Sequence, residues 1–327
     1  MTTRGEFLSL TMAGACALSA FPSGIRKPPV LRRGDKVGLI APASPLSESE
    51  IAQGVAHIRS LGLEPVLGRY VAEHDGYLAG GDAERAADFN RMARDAEIRA
   101  IIALRGGYGT MRILDQLDFR AIAADPKIVM GFSDLTAILN AVAMRSEVVA
   151  FHGPLAARES VFDEVTRRYV ERVCMSTEPI GVLRAPGAVA LRAGRARGRI
   201  SGGNLSLVSS LAGTPWAPAF KGTLLVLEEV EEEPYRIDRM LTQLRLAGAL
   251  SAASGLLFGA CTRCEPTGPS MSAGAVVADR LGDLGIPALT GVPVGHIPEQ
   301  WVLPIGLEAV LDAQARTLEI PESAVRG

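Results

Sequence analysis

The 327-residue sequence has little of what marks several classes of protein. Its four cysteines are too few for a disulfide framework, and a formal net charge of -2 gives no reason to expect a nucleic-acid partner. After residue 25 no apolar run suggests a membrane span, and there is no repeat or low-complexity segment. Hydrophobic residues make up 48% and charged residues 21%, an ordinary balance for one large or two medium globular domains.

Metal ligands are equally scarce. Cys261 and Cys264 form a lone C-x-x-C pair, and a zinc site would need further Cys or His residues at matching spacing. None is evident, so we expect no metal and no other cofactor. The pair is compatible with redox chemistry, but we interpret it as structural.

Residues 1–27 differ in character from the rest of the chain. Arg4 precedes an apolar run from Phe7 to Ala20, which has the length of a signal peptide and is too short to cross a bilayer. Thr3-Arg-Gly-Glu-Phe-Leu8 resembles a twin-arginine signal that has lost one arginine. We therefore expect a signal-like or disordered extension, with export to the periplasm favoured over the alternative of a cytoplasmic location.

From Pro28 onward, apolar strands alternate with helical patterns, which predicts an α/β fold with an open, mostly parallel sheet flanked by helices. We assign residues 28–160 to this N-terminal domain. The following stretch, 161–197, is less regular and ends in several arginines, so we predict a linker there. Residues 198–327 are predicted to form a C-terminal α/β domain with a smaller sheet.

The most informative stretch runs from Lys127 to Leu139. Ile128-Val-Met130 is typical of a buried parallel strand, and apolar residues recur at helical spacing from Leu135 onward. Ser133 lies between them, where its hydroxyl would stand beside the backbone N–H groups of a helix start. That is the geometry of a nucleophile elbow, although Leu135 replaces the second glycine of the usual G-x-S-x-G string. On this string alone, an ordinary serine in a βα turn is the alternative.

A serine nucleophile needs a general base, and the chain has only four histidines. His57 and His74 are predicted to lie at the surface. His152 follows a strand and His296 lies in a proline-stiffened loop, and the residues alone do not choose between them. Glu228 directly follows an apolar run and is the best candidate for the carboxylate that orients the histidine.

An oxyanion site is the third requirement of such chemistry. The segment Arg105-Gly-Gly-Tyr-Gly109 matches neither common phosphate-binding loop, and its glycines would free a backbone N–H to face a carbonyl oxygen. A plain glycine turn is the alternative. The acids Glu231-Glu-Glu233, which follow Glu228, are predicted to form a solvated loop.

These segments belong to a set of seven motifs that occur in order between about Pro28 and Asp312. The motifs are Arg105-Gly-Gly-Tyr-Gly109, Gly131-Phe-Ser-Asp134, Phe151-His-Gly-Pro154, Gly202-Gly-Asn-Leu205, Leu227-Glu-Glu229, Pro234-Tyr-Arg-Ile-Asp-Arg-Met-Leu241 and Gly291-Val-Pro-Val-Gly-His296. The set resembles the LD-carboxypeptidase family, the muramoyl-tetrapeptide carboxypeptidases, of which the microcin-immunity serine peptidases are relatives.

The resemblance implies a Ser-Glu-His triad divided between the two domains. Ser133 would be the nucleophile, while Glu228 and His296 would form the charge relay and base. The resemblance thus favours His296 over His152. The oxyanion donors would be the backbone N–H groups of Asp134 and Gly107.

The resemblance also suggests which residues bind substrate: Arg105, Tyr108, His152 and Asn204. A structural role is the alternative for His152. Glu229 stands where family members commonly carry Asp, a change that leaves the triad intact. A homodimer is implied by the family alone, and no metal is needed.

The implied activity is that of a serine carboxypeptidase acting on a murein tetrapeptide, in peptidoglycan recycling or remodelling. It would hydrolyse the L,D-peptide bond between an L-centre, such as that of meso-diaminopimelate, and the terminal D-alanine. One alternative is a microcin-immunity-type serine amidase acting on peptidyl or aminoacyl adenylates. Another is a catalytically silent protein that binds peptidoglycan fragments, against which the intact triad argues.

Overall fold

The computed structural model of the protein describes residues 18–157 and 164–327. Residues 1–17 of the predicted signal-like extension lie outside these ranges, as does the predicted junction between N-terminal domain and linker. Within the two described ranges, no helix is both long and apolar enough to cross a membrane.

The described residues form strands and helices that alternate through most of the first half of the chain. The strands are β1 (Lys36–Ile40), β2 (Glu64–Leu67), β3 (Ile98–Ala103), β4 (Ile128–Gly131), β5 (Ala150–His152), β6 (Gly181–Arg184), β7 (Val189–Arg192), β8 (Arg195–Asn204), β9 (Thr223–Val230), β10 (Gly255–Thr262), β11 (Ala288–Thr290), β12 (Leu303–Ile305), β13 (Glu308–Asp312) and β14 (Thr317–Ile320). The helices are α1 (Glu48–Ser60), α2 (Asp82–Arg94), α3 (Phe119–Ala124), α4 (Thr136–Ala141), α5 (Glu164–Cys174), α6 (Leu205–Leu211), α7 (Pro234–Leu246), α8 (Ala249–Ala252) and α9 (Ala273–Leu281).

The first sheet has the strand order β12-β5-β4-β3-β1-β2. Strands β1 to β5 pair in parallel, and the residues of β4 are all buried, as expected for a central strand covered on both faces. The expected mixed α/β fold is confirmed. Strand β12 comes from the C-terminal part of the chain and pairs antiparallel with β5, placing Leu303 opposite His152. The second half of the chain therefore completes the sheet of the first half.

The second sheet has the order β6-β14-β13-β8-β9-β10-β11-β7, with a parallel centre from β8 to β11 and antiparallel strands on both sides. It has eight strands against six in the first sheet, so our expectation of a smaller C-terminal sheet is wrong. Two of its strands, β6 and β7, lie within the predicted linker 161–197, which also contains α5. Strands β6 and β7 are thus part of the second sheet rather than of an irregular linker.

The arginines that suggested a linker lie on strands of this sheet, namely β6, β7 and β8. Along β8, Arg195 and Arg197 are exposed while Ala196 between them is buried, which is the alternation of a strand with one face to solvent. Arg197 forms an ion pair with Glu308 of the neighbouring strand. Positive charge in this stretch therefore marks the exposed side of a strand.

Close contacts along α4 fix how the two sheets meet. Asn140 Nδ2 donates to Gly202 O at 2.9 Å, and Asn204 N donates to Thr136 Oγ1 at 2.9 Å. At Gly203, with φ 137°, an added Cβ would lie 2.5 Å from Thr136 Oγ1. Only glycine allows this approach, so the helix after Ser133 is held directly against β8.

Candidate active site

Ser133 occupies the tight turn between β4 and α4. Its φ is 63°, in the left-handed region that non-glycine residues seldom occupy. The chain then passes through a short 3-10 turn, Ser133–Leu135, into α4. A strained serine between a buried strand and a helix is the backbone arrangement of a nucleophile elbow. The turn forms without the second glycine of the usual string.

His296 lies in the loop between β11 and β12 and is paired with Glu228 on β9. Its Nδ1 is 2.7 Å from Glu228 Oε2, and the two side chains are only 4% and 0% exposed. Gly295, with φ 116°, allows the loop to come this close, because an added Cβ would lie 2.7 Å from the same Oε2. With Nδ1 held by a carboxylate, Nε2 is the nitrogen that remains for a serine hydroxyl.

Phe132 joins the serine half of the site to the histidine half. It is fully buried and directly precedes Ser133. Its ring packs edge-on against the imidazole of His296, with centroids 4.7 Å apart and planes at 61°. Phe132 of the elbow therefore packs directly against the histidine of the second domain.

The glycine loop after β3 runs beside the elbow. A Cβ built on Gly106 would lie 3.1 Å from Ser133 Cβ and 3.7 Å from Asp134 N, so the loop and the helix start are in contact. Ser44 N donates to Gly106 O at 3.2 Å and helps to hold the loop in place. The glycine loop thus lies against Ser133 and the backbone N–H of Asp134, the kind of surroundings in which an oxyanion site can form.

A cavity of about 440 Å³ contains both Ser133 and His296. Its volume lies in the range of small-molecule and short-peptide sites. Both domains supply its walls, so the cavity exists only because the sheets are docked. It is lined by Leu46, Glu50, Leu104, Arg105, Gly106, Gly107, Ser133, Leu155, Ala157, Val230, Glu231, Arg263 and His296.

Arg105 and Tyr108 differ in their relation to this cavity. Arg105 lines it, and its Nη1 lies 3.1 Å from Pro45 O and 3.4 Å from Glu50 Oε1. Tyr108 is exposed outside the lining, with its ring centroid 5.7 Å from that of the exposed Tyr77. Of these two predicted substrate contacts, the structure brings Arg105 into the cavity.

Asn204 is buried and holds Glu229. Its Nδ2 donates to Glu229 Oε1 at 2.9 Å, while Glu229 Oε2 accepts from Ser206 N at 2.9 Å and from Ser206 Oγ at 2.7 Å. Burial raises the pKa of the Glu229 carboxyl above its ordinary value. The acid beside Glu228 thus ties β9 to the start of α6, and Asn204 belongs to that connection rather than to the cavity wall.

His152 is also buried, behind Phe132, and lies outside the cavity lining. Neither of its ring nitrogens has a hydrogen-bond partner in the described part of the chain. Burial lowers the pKa of His152 to about 4, with the charge of Glu228 acting in the opposite direction. A histidine so placed is a poor base at neutral pH.

Asp134, the residue after the elbow serine, is buried as well. Burial raises the pKa of its carboxyl to about 6, although Thr110 N donates to Oδ2 at 2.8 Å. Its Oδ1 has no partner among residues 18–157 and 164–327. The side chain is held by Thr110 outside the cavity lining, whereas the backbone N–H lies at the helix start.

The cysteine pair has no metal partners within the described ranges, where no group of three or more His, Cys, Asp or Glu side chains could hold an ion. Cys261 and Cys264 are free thiols at the end of β10, and Cys264 Sγ lies 3.5 Å from Thr262 O. Arg263, which lies between the two cysteines, lines the cavity.

Two charged residues that the second domain supplies to the cavity were missed in the sequence. Glu231 was assigned to a solvated loop, and Arg263 lies inside the C-x-x-C pair, so neither was considered as part of a site. Each directly follows a strand of the second sheet, β9 and β10, and both line the cavity. Position just beyond a parallel strand was the signal that could have found them.

Comparison with known proteins agrees with this architecture. Residues 37–153 match the LD-carboxypeptidase N-terminal domain, and residues 197–311 match the LD-carboxypeptidase C-terminal domain. The chain is 37% identical to the probable murein peptide carboxypeptidase of Bacillus subtilis (strain 168), over 92% of this chain and 96% of the relative. It is 31% identical to the murein tetrapeptide carboxypeptidase of Pseudomonas aeruginosa, over 85% of this chain and 93% of that protein.

A solved structure with the same fold is that of MccF in complex with glutamyl sulfamoyl guanosine. It superposes with a TM-score of 0.85 at 22% identity, covering 92% of this chain and 99% of the other. The two domain matches and the identity to curated relatives define the class as serine carboxypeptidases, which are hydrolases. The chain belongs to the LD-carboxypeptidase family.

Proposed function

We propose that this enzyme removes the terminal D-alanine from a murein tetrapeptide by hydrolysing the L,D-peptide bond. The observation that carries the proposal is the His296–Glu228 pair, buried in one domain and packed through Phe132 against the elbow serine of the other. The names of two relatives, a murein peptide and a murein tetrapeptide carboxypeptidase, supply the substrate class.

In the proposed reaction, Ser133 Oγ attacks the carbonyl carbon of the third peptide residue and His296 Nε2 takes the hydroxyl proton. Glu228 keeps the imidazole oriented and stabilises its charged form. The backbone N–H groups of Gly107 and Asp134 bind the oxyanion.

The tetrahedral intermediate collapses when His296 passes the proton to the amine of D-alanine, which leaves. Water then attacks the acyl-enzyme with His296 again as base, which releases the tripeptide and restores the Ser133 hydroxyl.

His296 is preferred to His152 as the base on three grounds. His296 lines the cavity and has a carboxylate on Nδ1, whereas His152 lies outside the lining. Burial also lowers the pKa of His152 to about 4, which leaves it weakly basic.

The test of the proposed function is mass spectrometry of a murein tetrapeptide incubated with the purified protein, in which the proposal predicts loss of one alanine residue.

A second candidate substrate is a peptidyl or aminoacyl adenylate. A relative 26% identical to this chain is the microcin C7 self-immunity protein MccF of Escherichia coli. The exposed rings of Tyr77 and Tyr108 stand next to the glycine loop, where a nucleobase could stack. Parallel assays on murein tetrapeptide and an aminoacyl sulfamoyl adenylate separate the two substrates, and preferential cleavage of the latter would overturn our first choice.

Two other proposals rest on the family resemblance and on the N-terminal sequence. We propose a homodimer, which sedimentation equilibrium of the purified chain tests by its mass. We also propose that the N-terminal extension directs export, which mass spectrometry of the mature protein from a periplasmic fraction tests through its N-terminal residue.

A further inference from the structure

An ion pair stands on the cavity wall that the second sheet supplies. Arg263 Nε and Nη2 lie 2.8 Å and 2.6 Å from the same oxygen, Glu231 Oε1. Both residues line the cavity that contains Ser133 and His296. The reaction proposed above uses neither of them.

The backbone fixes the place of this pair. Glu231 follows β9 and Arg263 follows β10, two parallel strands whose last paired residues are Val230 and Thr262. Glu231 N donates to Thr262 O at 2.9 Å, and both charged residues have positive φ, 56° and 53°. Non-glycine residues hold this conformation only where the surroundings determine it, and such positions cluster at functional sites.

The pair lies on the histidine side of the cavity. Thr262 Oγ1 donates to His296 O at 3.1 Å, so the residue before Arg263 is bonded to the catalytic loop itself. The histidine delivers its proton to the amine of the departing group. In a carboxypeptidase that group is a single amino acid, whose carboxylate is only two bonds from the amine nitrogen. We therefore expect the carboxylate to lie close to the histidine.

Arg263 has the capacity to bind it. Its side chain is 56% exposed and that of Glu231 is 65% exposed, so their mutual attraction is weak and readily exchanged. Both Nε and Nη2 share one carboxylate oxygen, which leaves the Nη1 side of the guanidinium for a second acceptor. A planar guanidinium binds a carboxylate through two parallel hydrogen bonds.

The other arginine of the cavity, Arg105, is less suited to this task. It follows β3 on the wall of the first domain, next to the glycine loop, and contacts Pro45 O and Glu50. A group there is next to the oxyanion side of the scissile bond rather than to the histidine.

We propose that Arg263 is the specificity residue that binds the terminal carboxylate of the departing D-alanine, and that Glu231 holds the guanidinium in place in the free enzyme. This inference rests on the proposed function, which it deepens by assigning the group that restricts cleavage to the last residue of a peptide.

The test compares two synthetic murein tetrapeptides that differ only at the end, one with a free carboxylate and one with a carboxamide. We expect the wild type to prefer the free acid in kcat/KM by about 10- to 100-fold, the size of a charge-assisted bidentate contact. Arg263→Asn keeps a residue that tolerates positive φ and should bring this ratio close to one, mainly through KM for the acid.

Three variants serve as controls. Glu231→Gln should keep the preference for the acid, since the guanidinium remains. Arg263→Lys should keep part of it, since the charge remains without the fork. Arg236→Ala removes a comparable exposed ion pair, with Glu232, outside the cavity lining and should leave the ratio unchanged.

A binding measurement separates the possible failures. In the Ser133→Ala background, calorimetric titration with the free-acid tetrapeptide should show affinity weakened about 10- to 100-fold by Arg263→Asn. If the wild type releases no alanine from the tetrapeptide, the proposed function fails and this inference with it. If the wild type is active but Arg263→Asn retains the acid preference, the assignment of Arg263 is overturned while the proposed function stands. The same holds if Glu231→Gln loses the preference as completely as Arg263→Asn does.

Discussion

The imidazole of His296 and the ring of Phe132 pack edge-on, with centroids 4.7 Å apart, although the two residues belong to different domains. Phe132 directly precedes Ser133 in the sequence. The contact therefore links the position of His296 in one domain to that of Ser133 in the other. The docking of the domains and the alignment of the proposed triad are therefore the same structural event.

Replacing Phe132 should separate alignment from stability. Phe132→Leu keeps an apolar side chain but removes the ring against His296, and we expect kcat to fall about tenfold or more with KM little changed. The control is Phe89→Leu, a fully buried phenylalanine on α2. Steady-state kinetics on tetrapeptide and the urea midpoint are measured for both. Equal losses of kcat in the two variants would mean that the ring contact has no special role.

Gly203 should be critical for the docking itself. Gly203→Ala would place a Cβ 2.5 Å from Thr136 Oγ1, at the hydrogen bond that joins α4 to β8, so we expect kcat/KM to fall by more than about tenfold. Gly222→Ala is the matched control, because φ there is 72° and no atom lies within 4 Å of the added Cβ. That variant should lose about 1 kcal/mol of stability and keep its activity. Normal turnover in Gly203→Ala would contradict this view of the interface.

Asp134 and His152 should give opposite dependence of stability on pH. An unfolded Asp titrates near pH 3.9, and burial raises the pKa of Asp134 to about 6. Its contribution to folding is thus complete below about pH 4 and is lost as the pH rises through about 6. An unfolded His titrates near 6.5, and burial lowers the pKa of His152 to about 4. Its contribution is present above about pH 6.5 and is lost as the pH falls toward 4.

Replacing either side chain should leave the pH dependence of stability that the other one causes. Relative to wild type, His152→Gln should gain up to about 3 kcal/mol in free energy of unfolding as the pH falls from 7 to 4, and Asp134→Asn should lose about as much. Urea unfolding of the three proteins at several pH values measures this. If stability changes with pH in the same direction in both variants, the opposite pKa shifts of Asp134 and His152 are ruled out.

Local patterns in the sequence were enough for the elbow but not for the second sheet. Ser133 lies between an apolar strand and a helix that are adjacent in the chain, so a short window contains the whole turn. Strand β12 has three residues and pairs with β5, about 150 residues away, and nothing in a short window specifies that partner. Strands β6 and β7 were missed because their exposed arginines and short lengths resemble a loop.

Local patterns in the sequence likewise identified only part of the candidate site. The residues alone left His152 and His296 open as bases, because both follow strands or stand in stiff loops. In the structure His296 lines the cavity and pairs with Glu228, whereas His152 lies outside the lining, and these placements depend on contacts far apart in sequence, such as Leu303 opposite His152. Glu231 and Arg263 were missed for a similar reason, since each is an ordinary charged residue until two strand ends bring them to the same cavity wall.

The central claim is that Ser133 is the nucleophile of a hydrolase acting on murein tetrapeptide. The most direct measurement is release of D-alanine from the tetrapeptide by wild type and by Ser133→Ala, after unfolding curves show that both are folded. We predict that the wild type releases D-alanine and that the variant is slower by about four to six orders of magnitude. Release by Ser133→Ala at close to the wild-type rate would contradict the account.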